Sequence, residues 1–119
     1  MRRDAQRLQD ILDAIERIRV YTDRGREAFD ADPLIQTWVV HHITIIGEAA
    51  RALPVGFRER HPSLPWKKIV GVRSILVHHY FEVDADALWA VVEHDLTPLE
   101  DNIRAILSDV AADPKDSSE

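Results

Sequence analysis

Apolar residues recur along this chain at three- and four-residue intervals, the spacing of one helix face. Leu8, Ile11, Leu12, Ile15, Ile18 and Tyr21 (or Thr22) form the first stripe, predicting a helix from about Asp4 to Tyr21 or beyond. The stretch Thr22–Asp32, with Gly25, reads as a turn or a short helical continuation, with Phe29 plugging the core. Asp32-Pro33 then opens a second helix, because Asp caps a free N–H and Pro suits the first turn. It should run to about Leu53, before Pro54, with Leu34, Trp38, Ile45, Ala49 and Leu53 facing inward. In that register Glu48 lies close to the buried face, His41 points to a neighbour and His42 outward. Gly47, Ala49 and Ala50 leave room for another helix to approach closely.

Residues 54–65 hold three Pro and one Gly, a connector with at most a short helix over Val55–His61. A further helix starts at Pro65 or Trp66, with Ile69, Val72, Leu76 and Val77 as its stripe and Trp66 as a core anchor. Asp84 caps a last long helix, about Ala85 to Ser108, striped by Leu88, Val91, Val92, Leu96, Leu99, Ile103 and Ile106. Pro98 lies inside it and should kink or break it near His94–Thr97. The polar end, 112–119, reads as a disordered tail. The pattern therefore predicts one all-α domain over residues 1–111, a small antiparallel bundle of four to five helices.

Composition leaves that picture standing and narrows the chemistry. The 119 residues are 45% hydrophobic and 30% charged, as in an ordinary globular domain. There is no Cys, hence no disulfide or thiolate metal site, and no histidine pair at ligand spacing; no metal or cofactor is expected. No apolar run is long enough for a membrane span, and no apolar segment follows Met1-Arg2-Arg3, so a cytoplasmic location is expected.

The net charge of -6 argues against an anionic ligand until its distribution is read. Residues 51–80 carry six cations (Arg51, Arg58, Arg60, Lys67, Lys68 and Arg73) against Glu59 alone, whereas 81–119 carry two cations and eleven anions. A phosphate responds to local sign. Arg58, Arg60, Lys67 and Lys68 are thus candidate RNA contacts; a basic connector facing an acidic helix is the bland alternative.

The candidate chemistry lies in Arg73-Ser74-Ile75-Leu76-Val77-His78-His79-Tyr80. Arg offers a fixed charge and a fork of donors for phosphate. His moves a proton near neutral pH, and Tyr adds a donor. Five residues of straight helix turn through about 500°, leaving Arg73 and His78 about 140° apart. Either the helix breaks between them, with Ser74 one candidate for the break, or a second copy of the chain completes the site. Glu48 would orient the Arg or His; a surface ion pair is its alternative role.

The run from Pro65 to Asp84, together with Ile46-Gly47-Glu48-Ala49, Leu88-Trp89 and Asp95-Leu96 with Pro98-Leu99, resembles the HepT-like branch of the HEPN superfamily. The resemblance extends from about Leu8 to Leu107. It implies a HEPN-like bundle and a metal-independent endoribonuclease toxin. Arg73 and His78 from two protomers would line one cleft of a homodimer, with Tyr80 beside them. It also implies a minimal nucleotidyltransferase antitoxin that transfers AMP to Tyr80. Ser74 stands where many members carry Asn. A non-catalytic helical module binding a nucleotidyltransferase or a nucleotide is the alternative in another class.

Overall fold

The computed structural model describes residues 2–78 and 82–112; the side chains of 2, 73–78, 82, 111 and 112 lie outside that description. Among the described residues the chain is all-α apart from one two-residue strand pair. Its elements are α1 (Arg2–Thr22), α2 (Arg26–Ala31), α3 (Pro33–Ala52), α4 (Val55–Arg60), α5 (Trp66–Leu76), β1 (Val77–His78), β2 (Glu82–Val83), α6 (Ala85–Ala90) and α7 (Leu96–Ala112). A π-helical turn, Val91–Asp95, joins α6 to α7 without a break. Ala112, expected to open the tail, is still part of α7; residues 113–119 lie outside the described residues.

Helix α1 buries Leu8, Ile11, Leu12, Ile15 and Ile18, the stripe expected for it, and packs on α3 and α7. Gly25, at φ 98°, makes the turn after α1; most side chains are strained in that left-handed region. Phe29 of α2 is fully buried and packs at 5.1 Å against Trp89 of α6. Arg26 binds Asp30 of its own helix and Asp86 of α6, tying the same two elements at the surface.

Asp32 caps α3 by accepting the Leu34 N–H at 2.9 Å, with Pro33 in the first turn. Helix α3 buries Ile35, Val39, His42, Ile43, Ile46, Gly47, Ala49 and Ala50, and Leu53 just beyond it is buried as well. Ala49 and Leu53 thus face inward as expected, Trp38 and Ile45 are half-buried, and three corrections follow. Leu34 is 78% exposed. His42 is buried and His41 exposed, the reverse of expectation. Glu48 is exposed, not half-buried. The cause is that α3 is covered on two sides, by α1 and by α5. Its β-branched Val39 and Ile43 are among the deepest of these residues. Trp38 sits at the margin, its indole N–H donating to the Arg17 carbonyl at 2.7 Å.

His42 tolerates burial because its Nδ1 meets the Trp38 carbonyl at 2.8 Å and its ring packs on Trp38. Burial lowers its pKa below 6.5, against the opposing effect of that hydrogen bond, with His41 and Arg17 lowering it further.

Across the bundle, Arg19 of α1 donates to Glu100 of α7 at 2.7 Å and to Thr97 at 2.9 Å, while Arg104 reaches Glu100 at 3.1 Å. The Arg19 hydrogen bond, more than any other contact, lowers the Glu100 pKa.

The long C-terminal helix deviates where a proline demands it. Pro98 has no N–H to give to the turn before it. The chain widens into the π turn just upstream, where the Leu96 N–H reaches back to the Val91 carbonyl. The expected kink near His94–Thr97 is thus a wide turn over Val91–Asp95, with Leu88, Leu96, Ile103 and Ile106 still buried on one side.

Helices α3 and α5 approach closely at Gly47. A Cβ on Gly47 would meet the Val70 carbonyl oxygen at 3.3 Å and that of Ile69 at 3.4 Å, both backbone atoms. Ala49 and Ala50 beside it are buried, so the small-residue patch is where a second helix comes close.

Gly47→Val should lower unfolding free energy by about 1–3 kcal/mol through overpacking. Gly71→Ala, where a Cβ meets nothing within 4 Å, should be neutral or stabilising. Urea unfolding of both variants measures the difference. A second expectation concerns acid. Because the folded-state pKa of His42 is lowered, the unfolded chain binds the proton more readily. Stability from this group is complete above about pH 6.5 and falls as pH drops through the lowered folded value. His42→Leu should flatten that part of the stability–pH curve in thermal melts.

Candidate active site and basic surface

The start of α5 is fixed by Trp66. Its ring is buried, and its indole N–H donates to the His61 carbonyl at 2.8 Å, tying the end of α4 to the start of α5. Phe57 of α4 is buried beneath, against His61 at 4.6 Å. Periodicity did not single out Phe57, because a six-residue helix is too short to show a stripe. Trp66 is a packing anchor, as expected, and not a stacking platform.

Arg60 and Arg58 follow Phe57 on α4. Arg60 is exposed and lies over the Phe57 ring at 5.7 Å. Arg58 is half-buried, and its Nε has no hydrogen-bond partner among the described residues. Lys67 and Lys68 are exposed in the first turn of α5, which holds no acidic residue. Two cations at a helix N-terminus oppose the helix dipole. They add to the positive potential of the free backbone N–H groups, an arrangement that suits a bound anion better than it suits the helix alone.

Arg73 and Ser74 lie on α5, and His78 lies on β1. The helix ends at Leu76, inside the Arg73–His78 interval. The chain then extends, with Val77 opposite Val83 and His78 opposite Glu82 in an antiparallel pair. The 140° of a straight helix therefore does not apply to this pair. The break falls two residues after Ser74, the expected breaker. The Arg73, Ser74 and His78 side chains lie outside the described residues, as does Tyr80 altogether. Glu48 is exposed on α3, next to the Gly47 crossing, and forms no ion pair among the described residues. No cluster of metal-binding side chains occurs among the described residues.

Between α3, α5 and α7 lies a groove of about 310 Å3 that sequence reasoning missed. Ile46, Ile69, Val72, Val91 and Leu99 wall it, and Lys68, Asp95 and Asn102 bring polar groups to it. The sequence held a faint signal: Asp95, Leu99 and Asn102 are spaced by four and three residues, so they share one helix face.

A family model described as Ribonuclease HepT-like matches residues 11–106. The chain belongs to the HepT-like ribonuclease family. It is 38% identical over 112 residues to "Gamma-glutamylcyclotransferase and putative RNase MJ0434" of Methanocaldococcus jannaschii, covering 92% of this chain and 50% of that one. It is 35% identical over 100 residues to "Putative RNase MJ1380" of the same organism, covering 83% of this chain and 92% of the relative. It is 39% identical over 93 residues to "Probable ribonuclease HepT" of Thermococcus cleftensis, covering 77% and 84%. The chain thus spans half the length of the first relative and most of the other two. No solved structure matches it. Among the described residues no helix is long and apolar enough to cross a membrane.

If Arg58, Arg60, Lys67 and Lys68 contact phosphates, RNA affinity should fall steeply with salt. Changing any one of them to Gln should reduce the log–log slope by roughly 0.7 on single-stranded RNA. Anisotropy titrations at several salt concentrations measure it; an unchanged slope would leave these cations as surface charge.

Proposed function

We propose that this HepT-like chain is a metal-independent endoribonuclease of a toxin–antitoxin pair, active as a homodimer. The observation that carries the reading is the helix end at Leu76, between Arg73 and His78. On one unbroken helix these residues would point apart; the extended segment at Val77–His78 relieves that geometric objection. The lysines at the start of α5 support an anionic substrate on the same element.

In the proposed reaction His78 takes the proton from a 2′-hydroxyl, whose oxygen attacks the adjacent phosphorus. The 5′-oxygen leaves with a proton from a second acid, the His78 of the other protomer. Arg73 from each protomer stabilises the charge that builds on the phosphoryl oxygens. The products are a 2′,3′-cyclic phosphate and a 5′-hydroxyl. Ser74 and Glu48 are supporting residues; the exposure of Glu48 leaves it available to a partner protomer. The antitoxin in this reading is a minimal nucleotidyltransferase. AMP placed on Tyr80 would add bulk and negative charge beside the motif and keep RNA out.

Arg73→Ala and His78→Ala should each abolish RNA cleavage in EDTA while leaving the helical CD spectrum unchanged. The double variant should be about as inactive as the worse single one, because both residues serve one step. Tyr80→Phe should retain most cleavage and resist an antitoxin that modifies the hydroxyl; mass spectrometry of the co-expressed pair reads the added AMP. Wild-type cleavage by His78→Ala would replace the enzyme reading with that of a binding module.

A further inference from the structure

The outer face of α3 lacks what the outer face of α1 has. Exposed positions on α1 include Arg3, Gln6, Arg7, Glu16 and Arg17, an ordinary solvated mix. From Pro33 to Gly47, by contrast, there is no Asp, Glu, Lys or Arg, in a chain that is 30% charged. The side chains that reach the surface over that stretch include Leu34, Thr37, Trp38, His41, Thr44 and Ile45, and Leu34 is 78% exposed. Leu34, Trp38, His41 and Ile45 follow one another at intervals of four, three and four residues. They form one stripe, at the spacing by which one helix seats against another.

The donors of this face are already used inside the fold. The Thr37 hydroxyl donates to the Pro33 carbonyl at 3.0 Å, and that of Thr44 to the Val40 carbonyl at 2.8 Å. The Trp38 indole N–H donates to the Arg17 carbonyl at 2.7 Å. Covering the face strands none of these groups, so the desolvation cost that opposes burying polar side chains is small here.

We propose that the outer face of α3 is the two-fold contact between two copies of this chain. The proposal rests on the homodimeric reading above and names the surface that makes the dimer. A nucleic acid is a poor occupant, because a polyanion needs cations and Pro33–Gly47 offers none. A second copy suits the face for a symmetry reason. Across a two-fold axis a surface meets itself, so a charge near the axis faces its own sign. A run without charge meets that condition over four turns. Position points the same way. Helix α5, which carries Arg73, lies against α3 at Gly47, so copies joined along α3 bring both α5 helices to the flank of the contact. The 20 residues of α3 run about 30 Å. A strip one helix wide falls short of the about 800 Å2 per partner of a standard interface. The contact therefore takes in the neighbouring edge of α1, where Tyr21 packs on Trp38 at 5.4 Å.

The test is sedimentation velocity of the full chain carrying Leu34→Glu or Thr37→Glu. Both positions are exposed and lie near the start of α3, where an acid favours the helix dipole, so the CD spectrum and melting temperature should hold. The parent should sediment as a dimer at micromolar concentration. Each variant should weaken self-association by about tenfold or more, the effect of setting like charges face to face. RNA cleavage should fall with the dimer. The chain has no Cys, so one introduced thiol reports on one position. Thr37→Cys should react slowly with a maleimide in the concentrated dimer and fast after dilution. Asp101→Cys, exposed on α7, should react fast at both concentrations. Dimers lost in both Glu variants, with RNA left uncut by the parent, would uphold the contact and sink only the ribonuclease reading. Variants that stay dimeric, with RNA cut as by the parent, would overturn the contact and leave the ribonuclease reading intact. A parent that is monomeric at every concentration would overturn the contact as well. So would variants that self-associate normally but no longer capture a co-expressed nucleotidyltransferase, since α3 would then belong to that partner.

Discussion

The contact on which the candidate site depends is the approach of α5 to α3 at Gly47. Backbone oxygens of Ile69 and Val70 lie 3.3–3.4 Å from where a side chain would begin. Any larger residue must push α5 outward, because carbonyl oxygens inside a helix cannot turn aside as a flexible side chain can. Arg73 is three residues from Val70 on that helix, so the position of Arg73 is set by the absence of a side chain on α3. At the other end, the Trp66 bond to the His61 carbonyl holds the start of α5. One helix of eleven residues is thus fixed at its middle and its beginning, while its far end runs into an extended segment.

The C-terminal helix makes the complementary adjustment. A regular helix through Pro98 would meet a steric clash and lose a hydrogen bond. Widening the preceding turn is the smaller cost, and Leu88, Leu96, Ile103 and Ile106 remain buried on either side of it. The same widening places Val91 and Asp95 on the groove that faces α5. A constraint that looks purely conformational in the sequence therefore shapes a groove that Ile69 and Val72 of α5 also line.

Much of the architecture was legible because its signals are local. Asp32-Pro33 and Asp84 mark helix starts through hydrogen bonds to residues two and three places on. The stripe of α1 stands out because the positions between its aliphatic residues are mostly charged or polar, so its periodicity reads cleanly. Helix α3 resisted because it is apolar at most positions, Leu34, Ile35, Trp38, Val39, Val40, Ile43, Ile45 and Ile46 among them, which blurs which residue is deepest. There His42 is buried in place of His41, and Glu48 is exposed. The groove was illegible for a different reason. Its lining comes from α3, the connector before α5, α5 itself and the π turn into α7. No sequence window contains it.

Charge shows how an acidic protein can hold an anion at one place. The residues after 80 are strongly acidic and the segment before them is basic. Screening limits each charge to about 8 Å at physiological ionic strength, so a ligand at the start of α5 responds mainly to Lys67, Lys68 and the helix N-terminus. Asp95 is an acidic residue that lines the same groove as Lys68. The anions after residue 80 lie outside α5, whose first turn holds no acidic residue, so the local sign at that turn is positive although the chain as a whole is acidic.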